Sequence, residues 1–400
     1  MDLRYTPQEE AFRADLRDWL ANVLPDLPPQ PSADDWPARR AYDTGWQRTL
    51  FEGGYAGVNW PTEYGGRGAT LTEQLIYLEE TTLAGAPYIG VNFVGMLHAG
   101  PTIMAEASEG QKAAHLPAIL RGDEVWCQGF SEPSAGSDLA ALGCKAVLDG
   151  DEYVITGQKT WTSFAQVADW CELLIRTDPA ASKHRGITWV MFPMDTPGVE
   201  IRPLRTVVGT SEFSEVFFDE ARVAVSNRVG LENDGWRVAM VTFGFERGTG
   251  FVSDLVETGK MLQELAELAK HVTRGSATAW DDVSVRRDIG QMQAEMDALW
   301  ALTKRNLAQA DRNGVPGAGG SLVKVCYSEL LQRLTEVAME LLGRAGLSRT
   351  DVGDLPSGAF VEERLRSLSF TIAAGTSQIQ RNIIAERILG LPKEKPWTSS

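Results

Sequence analysis

The chain has 400 residues, of which 43% are hydrophobic and 23% charged, a composition typical of folded globular proteins. Its formal net charge of -16 argues against a nucleic-acid or anionic-membrane surface, because both bind clustered Lys and Arg. Cys127, Cys144, Cys171 and Cys326 show no metal-site spacing, and we expect ordinary buried thiols in a reducing compartment. The polar first residues and the lack of a long apolar run predict a cytoplasmic protein without a membrane span.

The first part of the chain has a helical pattern. Phe12, Leu16 and Leu20 recur at a spacing of four residues, and QLIYLEE (74–80) continues a second amphipathic stretch. The turn-rich segment WPTEYGG (60–66) separates these helices. We therefore predict an N-terminal helical domain over residues 1–121.

The hydrophobic pattern then changes to that of β-strands. KAVL (145–148) and YVI (153–155) flank the turn DGD, which is a hairpin signal. Further strands, each bounded by turn or charged residues, are predicted at 171–176, 186–192, 215–218 and 222–225. Together they predict a small β-barrel or sandwich as a middle domain over residues 122–234.

Helical periodicity returns at Gly235 and continues to the end of the chain. One apolar helix face is formed by Leu255, Leu262, Leu265 and Leu268. A second face is formed by Ile289, Met292, Met296, Leu299, Thr303 and Leu307. A Gly-rich break at 314–320, a long helix at 321–343, a loop through 356–358 and two shorter helices complete a C-terminal bundle over 235–400. The whole chain is thus predicted to be α+β.

One loop has a composition suited to ligand binding. FSEPSAGSD (130–138) combines small and hydroxylated residues with a Pro and a Gly, which exposes backbone N–H groups and hydroxyls at the end of a strand. Such a loop suits the edge of a flavin or a thioester. A polar turn joining two elements explains the same composition.

This loop, GQKTWTS (157–163) and IAAGTSQIQR (372–381) resemble the signatures of acyl-CoA dehydrogenases in order and approximate spacing. Further resembling segments are WPTEYGG (60–66), KHRGI (183–187), EVFFD (215–219) and NRVG (227–230). The resemblance covers nearly the whole chain. It implies the acyl-CoA dehydrogenase fold, with a helical domain, a β domain and a helix bundle, and it implies FAD as the cofactor.

The resemblance also assigns residues to the cofactor. Four residues would line the flavin and the start of the acyl chain: Phe130, Ser131, Gly136 and Ser137. Trp161 would pack on the isoalloxazine with Ser163 near its N5, and Thr376 and Gln378 would contact the flavin or its diphosphate. Without the resemblance, Trp161 fits a core aromatic and Thr376 fits a helix cap.

The implied reaction removes hydrogen from the α and β carbons of an acyl-CoA thioester. A carboxylate takes the α proton while the β hydrogen leaves as hydride to the flavin. Many members of the family carry that carboxylate where this chain has Ala374. The main-chain N–H of Ala374 can still donate to the thioester oxygen, so only the base is missing from this position.

Glu246 is the candidate base, because some members of the family carry the glutamate here, directly before an arginine. That arginine is Arg247, which we assign with Ser137 and Ala374 to the substrate. The apolar and glycine-rich surroundings of Glu246 predict a raised pKa suited to proton abstraction. A solvated helix glutamate paired with a Lys or Arg is the alternative. The nearby glycines, Gly244 among them, fit either space for a bulky acyl group or close helix packing.

Two motifs that hold the adenylate half of a neighbouring subunit's FAD in homotetrameric members are degraded here, at 270–282 and at ELLGRAG (340–346). Glu340 places a negative charge where a diphosphate would bind. This pattern resembles the heteromeric α2β2 acyl-CoA dehydrogenases that act on steroid side chains. It implies a homologous partner subunit, a steroid acyl-CoA substrate and an electron-transfer flavoprotein as acceptor.

Three alternatives remain open at this stage. The substrate could be a short branched or aromatic acyl-CoA. The chain could be a non-catalytic partner subunit, since Ala374 is not a base. Oxygen-using flavoproteins, such as acyl-CoA oxidases, share the same loops.

Overall fold

The computed structural model describes residues 4–246, 250–313 and 317–393. The described residues divide into two compact units, the first over Tyr5–Glu246 and the second from residue 250 onward. Within the described residues, no helix is long and apolar enough to cross a bilayer. The same residues contain no cluster of three His, Cys, Asp or Glu side chains that would hold a metal ion.

The first unit begins with five α-helices. They are α1 (Pro7–Val23), α2 (Trp36–Glu52), α3 (Leu71–Leu83), α4 (Gly100–Glu106) and α5 (Glu109–Arg121). Three of them start at a capping box, in which Thr6, Thr70 or Ser108 exchanges hydrogen bonds with the residue three positions later. The predicted apolar face of α1 is confirmed, because its three predicted residues are all buried.

Eight strands follow and form one sheet. They are β1 (Trp126–Gly129), β2 (Lys145–Asp149), β3 (Glu152–Ser163), β4 (Trp170–Arg176), β5 (Ile187–Pro193), β6 (Val199–Leu204), β7 (Phe213–Ala224) and β8 (Arg228–Val229). The order is β6-β7-β3-β2-β4-β5-β8, and β1 pairs in parallel with β4. The predicted hairpin is confirmed as the antiparallel pair β2 and β3.

The two strands predicted at 215–218 and 222–225 are in fact one strand, β7. Its pairing with β3 continues across the polar residues between them, from Gly157↔Phe218 to Ile155↔Ala221. Glu220 takes a left-handed backbone with φ of 52° at this point. The polar residues interrupt the apolar alternation in the sequence, whereas the ladder hydrogen bonds on both sides keep the strand together.

Helix α6 (Gly235–Glu246) is the last element of the first unit. Val238 and Ala239 lie in the same apolar core as α1 and α2. Thr242 lies 2.8 Å from Thr102 of α4, hydroxyl to hydroxyl. The ring of Phe243 meets the ring of Phe130 edge to face, with centroids 5.8 Å apart. The last turn of α6 is therefore anchored beside the loop that follows β1.

In its described residues, the second unit consists of helices, connecting loops and one short hairpin. Its helices are α7 (Val252–His271), α8 (Val283–Asn313), α9 (Gly319–Leu342), α10 (Ser357–Phe370) and α11 (Ser377–Ile383), and its hairpin consists of β9 (Thr273–Arg274) and β10 (Ala277–Thr278). The apolar faces predicted for α7 and α8 are buried, and most of their residues lie in one core.

Two details of the second unit differ from the sequence predictions. Ser357, predicted in a loop, is the first residue of α10, and its buried hydroxyl donates to the Thr350 carbonyl at 3.0 Å. Cys326, predicted to be buried, is exposed. It lies seven residues before the exposed Arg333 and therefore on the same outer face of α9. The other three cysteines are buried, as predicted.

Candidate active site

A buried ion pair fixes the loop after β1. Lys159 of β3 is fully buried, and its ammonium donates to Glu132 Oε1 at 2.8 Å and to the Phe130 carbonyl at 3.1 Å. Glu132 also accepts from the Gly143 and Cys144 N–H groups at 2.7 and 2.9 Å. Both charges have several hydrogen-bond partners, which offsets the loss of hydration on burial. Removal of either side chain would leave the other charge buried and unpaired.

The four residues predicted to line the flavin all lie in this fixed loop. Phe130 is buried, and the Ser131 carbonyl accepts from the Thr160 N–H at 2.9 Å, which joins the loop to β3 a second time. Gly136 and Ser137 are exposed, and a Cβ atom at Gly136 would meet no atom within 4 Å. The loop therefore presents open backbone and a hydroxyl group from a rigid base, an arrangement that suits ligand binding.

Trp161 occupies an unusual position on β3. The register of β3 against β7 shifts between Lys159 and Thr162, and Trp161 within this bulge has a left-handed φ of 59°. Its indole is 60% exposed and touches the ring of Phe213 edge to face at 5.9 Å. A core aromatic is therefore excluded. Left-handed backbone at a bulky residue is strained and is concentrated at functional sites.

Ser163 ends the same strand two residues later. It is half-buried and pairs with Phe213 in the ladder. The structure thus brings Trp161 and Ser163 onto one end of β3, the strand that also carries Lys159. Six of the predicted cofactor residues consequently lie in the first unit, on β3 and the loop that β3 fixes.

Glu246 is the last residue of α6, but its side chain and the whole of Arg247 lie outside the described residues. The described part of the helix places Phe243 against Phe130, and Glu246 follows Phe243 by about 4.5 Å along the helix axis. Gly244 is half-buried, yet a Cβ atom there would meet no atom of the described residues within 4 Å. Close helix packing does not explain this glycine, so the interpretation as open space is favoured.

In the second unit, Ala374 and Gly375 form a tight turn after α10. Their φ values are 50° and 81°, so both residues are left-handed. Ala374 is exposed, and its N–H donates to no acceptor among the described residues. Its carbonyl accepts from Gln380 Nε2 at 2.8 Å, and the Gly375 carbonyl accepts from Lys324 Nζ at 2.7 Å. The turn therefore presents a free amide while its carbonyls are held.

The two remaining cofactor predictions lie at the start of α11. Thr376 is its N-cap and accepts from the Ile379 N–H at 3.2 Å, while Gln378 is exposed. The capping contact accounts for Thr376 without any ligand. Gln378 has a side chain open to solvent and is available for a partner.

The segment that departs from the adenylate-binding motif is occupied by its own contacts. Lys270 pairs with Glu267 at 2.6 Å and lies 5.5 Å from the centre of the Trp280 ring. The hairpin of β9 and β10 connects these residues. Glu340 is exposed on α9. Among the described contacts, no Lys or Arg pairs with Glu340, so its negative charge is not offset.

Sequence reasoning missed four residues that shape these sites: Glu132, Lys159, Lys324 and Gln380. Each is buried; Lys159 and Lys324 act on distant parts of the chain, whereas Gln380 acts on Ala374 six residues before it. Lys159 could have been identified from the sequence. A lysine inside a strand is rarely buried without an acidic partner, so its position suggests a buried ion pair.

Comparison with known proteins agrees with the architecture. Three family models match the chain in order: acyl-CoA dehydrogenase N-terminal domain at residues 6–123, middle domain at 127–221 and C-terminal domain at 233–389. The chain is 38% identical to acyl-CoA dehydrogenase IpdE1 of Mycobacterium tuberculosis, covering 96% of this chain and 98% of that protein.

Solved structures show the same similarity. The ChsE4-ChsE5 complex from Mycobacterium tuberculosis contains a chain with a TM-score of 0.83 and 34% identity, covering 98% of this chain and 100% of that one. The Tcur3481-Tcur3483 steroid acyl-CoA dehydrogenase gives a TM-score of 0.81 and 30% identity, with 98% and 100% coverage. The chain therefore belongs to the acyl-CoA dehydrogenase family, flavin-dependent oxidoreductases that act on acyl-CoA thioesters.

Proposed function

We propose that this chain is the catalytic subunit of a heteromeric, FAD-dependent acyl-CoA dehydrogenase that introduces an α,β double bond into a steroid side-chain CoA thioester. The steroid class is supported by the similarity to the Tcur3481-Tcur3483 steroid enzyme. The heteromeric assembly is supported by the two-protein names of both similar structures and by the exposed Glu340. The observation that carries the catalytic role is the anchoring of the end of α6 beside the fixed loop after β1.

The residues present fit a flavin. The exposed indole of Trp161 offers a flat apolar surface, and Ser131, Gly136, Ser137 and Ser163 offer hydroxyls and open backbone along the same fixed segments. Phe130 begins this loop and is buried against Phe243, and we assign Phe130, Thr376 and Gln378 to the flavin or its diphosphate. When bound, the flavin accepts the hydrogen and electron pair that leave the β carbon.

The chain's own groups perform the proton chemistry. Glu246 is the base that takes the α proton, and the Ala374 N–H donates to the thioester oxygen as negative charge develops there. Ser137 and Arg247 bind the thioester portion of the substrate. Because the Ala374 N–H belongs to the main chain, the absence of a carboxylate at position 374 leaves this hydrogen bond intact.

Glu246→Gln tests the assignment directly. The substitution keeps size and hydrogen bonding but removes the base, so kcat should fall by about 10²- to 10⁴-fold while flavin content is unchanged. The measurement is turnover of a steroid-acid CoA thioester by the co-purified complex. Glu257→Gln, which removes an exposed carboxylate paired with Lys260 on α7, is the control and should retain activity.

Persistence of full activity in Glu246→Gln would identify this chain as a scaffold subunit. The same assay with isobutyryl-CoA and phenylpropanoyl-CoA separates steroid substrates from short branched and aromatic ones. We further propose that an electron-transfer flavoprotein accepts the electrons. Slow reoxidation of the substrate-reduced complex in air would support this acceptor, whereas rapid oxygen consumption would show an oxidase.

A further inference from the structure

The turn at Ala374 and Gly375 has a backbone that its sequence does not favour. Two left-handed residues follow each other, and the first of them carries a Cβ atom. A non-glycine residue in this region is strained, and such strain persists only where surrounding contacts hold it. A side chain at Gly375 would also approach Gln380 Nε2 to 2.8 Å. The turn therefore depends on the residues that hold it.

Two buried side chains hold the turn, each through one carbonyl. Gln380 of α11 is 6% exposed and donates to the Ala374 carbonyl, and Lys324 of α9 is 2% exposed and donates to the Gly375 carbonyl. Gln380 is local, six residues from its acceptor. Lys324 is 51 residues away from Gly375 and ties the turn to the long helix of the bundle.

We propose that Lys324 is a positioning residue, which with Gln380 fixes the Ala374–Gly375 turn so that the Ala374 N–H remains free for the thioester oxygen. The inference rests on the proposed function, because it gives that amide its role. Lys324 itself contacts neither the substrate nor the cofactor. It acts through the backbone of the turn.

The choice of a lysine agrees with this role. Among the described residues, no carboxylate lies within ion-pair distance of the ammonium, and the Gly375 carbonyl is the acceptor 2.7 Å away. Burial lowers the pKa of Lys324 to about 8, opposed by the charge of Glu329, so the group remains mostly protonated at neutral pH. A buried cation without a carboxylate partner is unfavourable for stability. Its presence here agrees with a role in holding the Gly375 carbonyl, because a charged donor forms a stronger hydrogen bond than a neutral one.

The thioester carbonyl itself reports on the amide. We would bind a steroid-acid CoA thioester, labelled with carbon-13 at the carbonyl, to the flavin-loaded complex in a Glu246→Gln background that prevents turnover. Infrared difference spectra then give the displacement of the C=O stretch to lower frequency relative to the free thioester. Lys324→Met should reduce this displacement by more than about half, because the amide donor is no longer held in place.

Kinetics in the wild-type background provide a second measurement. Lys324→Met should lower kcat by about tenfold or more with KM changed by less than about threefold, because the lost interaction forms fully only in the transition state. Lys324→Arg, which keeps the charge and donors, should restore part of both signals. Lys260→Met on α7 removes a half-exposed lysine that pairs with Glu257 and should change neither.

If Lys324→Met does not accumulate as folded protein, Gln380→Leu decides the question, since loss of either donor should weaken the displacement. The inference would be overturned if the C=O stretch of the bound thioester in folded Lys324→Met shifted to lower frequency as far as in the parent complex. Where Lys324→Met does not fold, the same result in Gln380→Leu would overturn it. A parent complex that shows no displacement at all would contradict the proposed function instead, and the inference would fall with it.

Discussion

Trp161 combines two features that folding alone does not favour, a left-handed backbone and a mostly exposed indole. An exposed tryptophan contributes little hydrophobic stabilisation, and its backbone conformation is unfavourable by about 1 to 3 kcal/mol. The bulge between Lys159 and Thr162 keeps both neighbours buried while it turns this one residue outward. The arrangement is explained if the indole is held ready for a planar ligand.

Trp161→Gly therefore should separate stability from binding. Relief of the backbone strain should offset the lost ring contact and the greater freedom of glycine in the unfolded chain, so the free energy of unfolding should change by less than about 1 kcal/mol. The purified variant should nevertheless contain less flavin, measured by absorbance after denaturation. Trp161→Phe keeps an aromatic surface and should retain most of it. Equal flavin content in the glycine variant would remove Trp161 from the proposed site.

At the scale of single residues, the sequence proposed candidates for the chemistry but did not indicate which contacts hold them in place. Trp161 and Ala374 were assigned through the resemblance, whereas nothing in their neighbouring residues encodes a left-handed φ. Lys159 and Lys324 lie 27 and 51 residues from their acceptors Glu132 and Gly375. Contacts over such distances depend on the fold and leave no periodic pattern in one sequence.

Among the elements, α6 has an unusual composition for a helix that ends at a proposed base. Gly244 lowers helix stability by about 1 kcal/mol relative to alanine, and no atom lies close enough to its hypothetical Cβ to require glycine sterically. Thr242 and Phe243 contact Thr102 and Phe130, and none of the described residues covers the position that a Cβ of Gly244 would take. We infer that this space serves the acyl group.

Gly244→Ala should thus stabilise the protein and impair its proposed reaction. The free energy of unfolding should rise by about 0.5 to 1 kcal/mol, as Gly290→Ala on α8 should also achieve, because both glycines are helical and lie in open space. Only Gly244→Ala should raise KM for a steroid-acid CoA thioester. Parallel denaturant titrations and steady-state kinetics check both effects. An unchanged KM would show that Gly244 does not provide space for the acyl group.

The helices were predicted more accurately than the strands. The long apolar faces of α7 and α8 repeat over many turns, so residues such as Leu262 and Met292 could be assigned to a core from spacing alone. Strand β7 was predicted as two strands because Asp219 and Glu220 interrupt its apolar alternation, although only Glu220 has a left-handed backbone there. A short pattern of period two has too few repeats to survive one interruption.

For the whole molecule, the proposed division of labour makes flavin content depend on the partner. Glu340 is exposed on α9, and Lys270 contacts Glu267 and Trp280; under the proposed division of labour, neither residue binds the adenylate half of a neighbouring subunit's FAD. In a tetramer of this chain alone, every FAD site would lack the same adenylate contacts.

We therefore expect the chain expressed alone to purify with well under one FAD per chain and the co-expressed complex to hold fewer flavins than subunits. Absorbance of released flavin against protein mass, with size-exclusion chromatography and light scattering, gives the ratio. One FAD per chain in a self-assembled homotetramer would rule out the division of labour.

The buried pair of Lys159 and Glu132 also has an evolutionary consequence. The two positions lie in different segments, yet a change at either one alone leaves a charge inside the protein, an effect of about 3 to 5 kcal/mol. The free energy of unfolding of a typical domain is only about 5 to 15 kcal/mol. The loop and the strand should therefore be inherited as one unit, and a relative that lacks the lysine should lack the glutamate as well.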